Sequence, residues 1–191
     1  MKGRTTELFE VYTIEGEPSG DLVSRDRIHA EGLWHKTAHI WFYTKDRQLI
    51  IQRRSAKKRS HPGLWDITVA GHMNHGESPA RASVREISEE LGVDVKEDEL
   101  GFIGSRNFSL TSNRGKYIDN EITFVYTLLW RNRKKFSPDP NEVEAVRYIE
   151  IDALRKALTD PRRGKEFVPH GHDYYTWIFD AVERALSSKE T

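Results

Sequence analysis

Three glutamates, Glu86, Glu89 and Glu90, fall in the short run VREISEELGV. On an α-helix, residues three and four apart share a face, so a helix here gathers three carboxylates into one patch. Like charges so close repel at neutral pH, and a cation among them relieves the repulsion. Hard divalent ions such as Mg²⁺ or Mn²⁺ suit an all-oxygen set and keep waters and substrate phosphates as further ligands. Arg85 stands four residues before Glu89 and can also fold back on Glu77, which orients the acids without ligating. The competing reading is a solvated acidic helix face, the usual fate of a charge run.

The elements that must position these groups are legible around them. Ser78-Pro79 is a helix opening, with a hydroxyl to cap free amides and a proline for the first turn. Gly92 offers the stop. Between them Ala80, Val84, Ile87 and Leu91 recur at helical spacing and are expected to face the core, with Glu86, Glu89 and Glu90 on roughly the opposite side. Upstream, Ile67 to Ala70 reads as a short buried strand that delivers Gly71 to this unit.

The spacing is specific as well. Gly71, five residues, Glu77, seven residues, then Arg85-Glu86-Ile87-Ser88-Glu89-Glu90-Leu91-Gly92-Val93 matches the Nudix box at every fixed position. The stretch resembles the Nudix hydrolases, and a solvated acidic face leaves Gly71, Glu77 and Arg85 at those offsets unexplained. The resemblance implies an α/β fold, a Nudix-type α/β/α sandwich around a mixed β-sheet. It also implies metal held by Glu86, Glu89 and Glu90, with the Gly71 carbonyl as an additional ligand. The general base stays open among Glu86, Glu89 and Glu121, since relatives draw it from different places. Hydrolase relatives also often take a further carboxylate from a loop beyond the box.

A narrower resemblance covers roughly residues 28 to 130. The order HKTAHIWFY, RR, PGLWD, VAGH and then the box is similar to the isopentenyl-diphosphate isomerase branch and its hydrolase relatives. Glu121 matches a metal-binding carboxylate of that branch, and Asp119 stands where the branch has a second one, although it is shorter than the expected glutamate. His35 and His72 stand near further ligand positions, while His29 is offset by about one residue. A separate histidine-containing metal site is therefore an expectation with departures, against scattered or core-satisfied histidines. The isomerases supply a cysteine just before the Gly-His that opens the box; here that position is Ala70, and the chain has no cysteine.

The rest of the chain of 191 residues reads as scaffold and substrate wall. One Nudix domain over 1–191 is expected, with an N-terminal hairpin at about 7–27 and a C-terminal helix at about 173–187 capped by Asp173. Strands are expected at 37–44, 48–54, 102–110, 122–130 and 143–151, and a short helix at 153–158. Residues 131–141 read as a loop, and PRRGKEFVPHGHD as an exposed connection able to close over a ligand. In the basic run after the second of these strands, Arg53 and Arg54 are the candidates for substrate phosphate, and His72 for substrate or metal. Trp34, Trp41, Trp65, Phe108 and Tyr117 are either base-stacking groups or core.

Thirty basic residues balance thirty acidic ones, so no overall field draws the chain to nucleic acid or to an anionic membrane. Without cysteine there is no disulfide, thiolate zinc site or cysteine nucleophile. No basic start followed by an apolar stretch and no membrane-length run is present, so a cytoplasmic protein is expected. The expected activity is metal-dependent hydrolysis of a diphosphate linkage, in a nucleoside diphosphate joined to another moiety or in a nucleoside di- or triphosphate. Its partner is then that small molecule, and exchange of the N-terminal hairpin would give a homodimer. The alternatives are isopentenyl-diphosphate isomerisation and a non-catalytic nucleotide-binding module.

Overall fold

A computed structural model describes residues 7–131 and 135–188; the first residues of the chain and part of the expected 131–141 loop lie outside the described residues. In chain order the elements are β1 (Leu8–Tyr12), β2 (Pro18–Ser24), α1 (Arg25–Glu31), β3 (Trp34–Tyr43), β4 (Gln48–Arg54), β5 (Trp65–Asp66) and β6 (Val69–His72). Then come α2 (Pro79–Leu91), β7 (Leu100–Ser112), β8 (Tyr117–Leu129), β9 (Val143–Glu150), α3 (Ile151–Thr159) and α4 (His172–Ser187).

Strand β3 is the axis of the sheet. Its apolar run pairs antiparallel with β4 and β6 and parallel with β8, from Trp34 opposite Asn120 to Tyr43 opposite Leu129. A strand covered on both faces reads as a continuous apolar run, as this one does. Its alternation divides the core in two. Ala38, Ile40 and Phe42 join Ile50, Val69, Ile87 and Leu91 under α2. Trp41 and Tyr43 join Leu49, Ile51, Leu154, Tyr174, Ile178 and Val182 under α3 and α4. The architecture is a helix layer on each face of a mixed sheet, an α/β/α sandwich.

Several boundaries differ from those the sequence suggests. Helix α1 is not evident from local pattern, because seven residues without a side-chain cap are marginal alone. It is held by burial of Ile28 against Phe9, Val11 and Val23, and it ends at Gly32 with φ 65°. Strands β7 and β8 run 13 residues each, well beyond the apolar stretches expected at 102–110 and 122–130. Cross-strand bonding from Leu100↔Leu128 to Ser112↔Tyr117 carries polar residues into the ladder. Gly171, not Asp173, occupies the N-cap of α4, leaving Asp173 as an acid in its first turn. The connection before α4 is only partly exposed: Phe167 and Val168 are buried, and Val168 N donates to the Trp65 carbonyl.

Candidate active site

Helix α2 begins as its sequence dictates. Ser78 Oγ accepts from the Arg81 amide at 3.3 Å, Pro79 fills the first turn, and Gly92 closes the helix at φ 64°. Its buried seam is rotated from the expected one, to Ala82, Ser83, Ile87, Glu90 and Leu91. The three glutamates therefore do not share a solvated face. The Glu89 side chain is 58 % exposed, Glu86 14 % and Glu90 5 %. Glu90 points inward, where Gln52 Nε2 donates to it at 3.0 Å and Lys58 Nζ lies 3.8 Å away.

Arg85 is the hub of the cluster. Its Nε and Nη2 donate to the two Glu77 oxygens at 3.0 and 2.9 Å. Nη1 reaches Glu86 at 2.7 Å and Glu89 at 3.0 Å, and Nη2 also meets the His72 carbonyl at 2.8 Å. Glu77 accepts in turn from the Asn74 amide at 3.0 Å, which fixes the turn entering α2. Gly71 lies against Glu86 so closely that a β-carbon at 71 would overlap the glutamate's Cγ and Cδ. Around these groups is a cavity of about 260 Å³, lined also by Arg25, Lys58, His72, Asp139 and Glu142.

Burial raises the Glu86 carboxyl, with Arg85 opposing. Burial pushes Glu90 up to about 8, more than Lys58 and Gln52 offset. Glu77 goes the other way: burial would raise it, but its bonds from Arg85 and Asn74 hold it low. Burial and neighbouring acids disfavour the charged carboxylates, and a bound cation would offset that cost, so the oxygen donor set fits a hard divalent ion.

A second cluster adjoins the first. The ligand atoms of His29, His35 and His72 lie within 4.8 Å of one another, and so do those of His35, Asp119 and Glu121. Helix α1 delivers His29, whose Nδ1 lies 2.8 Å from Asp119, and Tyr117 stacks on its ring at 4.2 Å. The parallel register of β3 on β8 sets His35 opposite Glu121. His35 Nδ1 is turned to the Leu33 carbonyl at 3.0 Å, leaving Nε2 buried with no partner among the described residues. His72 Nε2 and His29 Nε2 are 3.2 Å apart. Burial lowers His35 to about 4 and His72 well below its ordinary value, the neutral state a metal ligand needs. Burial, with Asp119 beside it, pushes Glu121 up to about 8. These residues also fit a metal ion.

With this geometry in place, the family model described as NUDIX domain matches residues 33–171. The chain belongs to the Nudix hydrolase family. It is 32% identical over 183 residues to Nudix hydrolase 3 of Arabidopsis thaliana, covering 93% of this chain but 23% of that protein. It spans only that fraction of the plant protein's length. An uncharacterized Nudix hydrolase of Clostridium acetobutylicum is 32% identical, over 92% of this chain and 97% of its own length. An isopentenyl-diphosphate Delta-isomerase of Escherichia coli is 29% identical, over 80% and 82%. In fold, a Deinococcus radiodurans protein superposes with a TM-score of 0.60 at 23% identity, covering 81% of this chain and 91% of its own. A MutT protein of Methanosarcina mazei does so with 0.60 at 20%, covering 78% and 95%.

The Nudix fold brings most of the sequence candidates together. Gly71 and His72 line both adjoining cavities, Glu86, Glu89, Glu90 and Arg85 one of them, and Glu121 the other. Arg54 lines the Glu121 side, already paired with Asp66 at 2.8 Å. Arg53 stands apart, donating to the Gly63 carbonyl at 3.0 Å and to Glu144 at 3.2 Å. Sequence reasoning did not single out Arg25 or Glu142, and it offers Lys58 only as one of the basic residues from Arg53 to Arg59 that could meet phosphate. Lys58 sits in the basic run, but only its approach to Glu90 and Glu142 marks it. Of the aromatic candidates, Trp41 is core, Trp65 lies under the Arg147 guanidinium at 3.9 Å, and Phe108 and Tyr117 line the site.

Proposed function

We propose that this Nudix protein hydrolyses a diphosphate linkage with Mg²⁺ or Mn²⁺, in a nucleoside diphosphate joined to another moiety or in a nucleoside di- or triphosphate. The observation that carries the proposal is the convergence of Gly71, Arg85, Glu86, Glu89 and Glu90 on one cavity, with Arg85 bonded to three glutamates at once. Water is a poor nucleophile, and charge builds on the departing phosphate. A divalent ion held by Glu86, Glu89, Glu90 and the Gly71 carbonyl supplies acidified water and neutralises phosphate oxygens.

The chain's own groups do the rest. Arg85 fixes the directions of Glu86 and Glu89 before substrate arrives, which saves reorganisation during the reaction. The water's proton passes to a carboxylate of the set Glu86, Glu89 and Glu121. Lys58, Arg54 and Arg25 border the space where phosphate oxygens must lie. Glu121 and the histidine cluster form the opposite wall and can hold a second ion.

The isomerase relatives and that second cluster favour one other reading, isopentenyl-diphosphate isomerisation. It needs a proton donor and an acceptor on opposite sides of a carbon skeleton. Ala70 cannot transfer a proton where the isomerases carry cysteine, and the chain has no thiol. The decisive experiment is a panel of nucleoside di- and triphosphates, sugar nucleotides, ADP-ribose, dinucleotide cofactors and prenyl diphosphates with Mg²⁺ or Mn²⁺. Metal-dependent release of a monophosphate product from nucleotide substrates is expected. Binding without turnover of any of them would replace this reading by the non-catalytic module.

A further inference from the structure

His39 lies mid-strand in β3 with its side chain 5 % exposed, on the face that also carries His35, Thr37 and Trp41. A polar ring buried there has to find partners. Trp41 Nε1 donates to the Tyr174 hydroxyl at 3.0 Å, and His39 Nδ1 lies 2.9 Å from the same oxygen. Indole has only a proton to give, so the tyrosine accepts from Trp41. Burial holds Tyr174 far above its ordinary value, so it keeps its own proton. That proton goes to His39 Nδ1, the other partner of the hydroxyl among the described residues. The opposite arrangement, with Nδ1–H donating, leaves the buried tyrosine proton unpaired, which is the costlier choice. Burial lowers His39 to about 3, so the ring is neutral at pH 7 and its single proton stands on Nε2.

The acid nearest that nitrogen is Glu121, whose Oε2 lies 3.7 Å away. The same oxygen accepts from Thr123 Oγ1 at 3.3 Å, a hydroxyl met in turn by Thr37 at 3.0 Å. The parallel register builds this arrangement, with His35 opposite Glu121, Thr37 opposite Thr123 and His39 opposite Val125. His170 packs edge-on against the His39 ring at 5.6 Å and is itself held by Asp66 at 2.6 Å. The hydrogen bonds and ion contact of Glu121 among the described residues thus all fall on Oε2, leaving Oε1 to meet a cation beside His35 and Asp119. At 3.7 Å the His39 contact acts through the N–H dipole, and contacts of this kind tighten when a site is filled.

We infer that Trp41, Tyr174 and His39 form a relay that fixes one tautomer and, through it, the Glu121 carboxylate: His39 is a positioning residue whose Nε2–H holds Oε2 and turns Oε1 to the ion or water in the cavity. A histidine free to exchange tautomers would present a lone pair to Oε2 part of the time and repel it. The hydroxyl delivered by α4 removes that choice, which ties the helix layer behind the sheet to the site in front of it. An outer shell that orients a ligating carboxylate raises metal affinity without touching the metal. The inference rests on the hydrolase reading only in giving Glu121 a part in the site.

Nitrogen NMR of the imidazole-labelled protein, with the His39 signals identified by their loss in His39→Gln, reads the tautomer directly. Wild type should show a neutral ring protonated at Nε2, and Tyr174→Phe removes the group that fixes it. Calorimetry with Mn²⁺ alone then reads the positioning. His39→Phe should weaken Mn²⁺ binding about tenfold, but less than about twofold when Glu121→Gln is also present, because the loss acts through that carboxylate. His39→Gln, whose amide returns a donor near Nε2, should recover most of the affinity. Should thermal unfolding show that His39→Phe has not folded, Tyr174→Phe, which removes one oxygen, carries the same comparison with a loss of about two- to fivefold. A wild-type ring that is charged or protonated at Nδ1, equal losses with and without Glu121, or no loss, including a protein that binds no Mn²⁺, would overturn the inference. Absence of hydrolysis across the nucleotide panel, with the tautomer and the Mn²⁺ results as expected, would instead sink the hydrolase reading alone.

Discussion

Gly71 lies against the Glu86 carboxylate with no room between them for a methyl group: a β-carbon at 71 would overlap both Cγ and Cδ of the glutamate. The glycine of the box is thus required by approach, since its φ is not in the left-handed range. Gly71→Ala should displace Glu86, lowering activity and metal affinity together by at least about tenfold, while circular dichroism stays that of the wild type. Wild-type turnover in a folded Gly71→Ala protein would show that Glu86 is not held for chemistry.

Arg85 makes five bonds, to Glu77 twice, to Glu86, to Glu89 and to the His72 carbonyl. Lysine has the charge and lacks the planar fork, so it cannot reach these oxygens at once. Arg85→Lys should lower kcat by about a hundredfold with a smaller effect on KM, as expected for loss of orientation in the reacting complex. A change confined to KM would place Arg85 on the substrate instead.

Glu89→Gln and Glu90→Gln each remove one charge from the proposed ligand set. Each should cost at least about 3 kcal/mol of transition-state stabilisation, roughly a hundredfold in rate, with a matching loss of Mg²⁺ or Mn²⁺ affinity. Glu90 is buried, so thermal denaturation of that variant separates lost ligation from lost fold. Unchanged turnover in both variants would end the assignment of metal to this helix.

Metal binding should release protons. Glu90 and Glu121 are pushed up to about 8 against 4.5, so the metal-free fold holds protons at pH 7 that the unfolded chain has lost. Its stability should therefore fall as pH rises towards 8. The buried His35 and His39, lowered to about 4 and about 3, act in the opposite sense, but only below their ordinary value of 6.5. The carboxyl effect is thus isolated between about pH 6.5 and 8.5. Across that window the metal-free melting temperature should drop, and the rise given by Mn²⁺ should grow. Calorimetry at pH 7 in buffers of different ionisation enthalpy should detect proton release, and buffer-independent heats would contradict it.

Isopentenyl diphosphate incubated with the protein and Mg²⁺ should keep its double bond in place. NMR follows that position directly. Enzyme-dependent appearance of the dimethylallyl isomer would overturn the argument from Ala70 and restore the isomerase reading.

The sequence by itself determined the unit from Gly71 to Gly92, because a helix, its Ser78 cap, its glycine stop and residues at fixed offsets are short-range facts. Periodicity likewise announced β3, β8 and α4, and with them the sandwich. It erred by a rotation on α2: local pattern turned Glu90 outward, whereas Gln52 and Lys58 receive it in the interior. Nothing local marked α1, whose stability comes from Ile28 beneath the hairpin, so Arg25 could not be foreseen, and the closure of His29 on His72 was expected only through the isomerase-branch resemblance. His170 and Asp66 stand 104 residues apart and meet only because the segment before α4 packs beside β5. Spacing encodes what one helix can gather on one face. Which strands pair, in which register, and which side chains then share a buried space depends on long-range packing, and that alone completed the site.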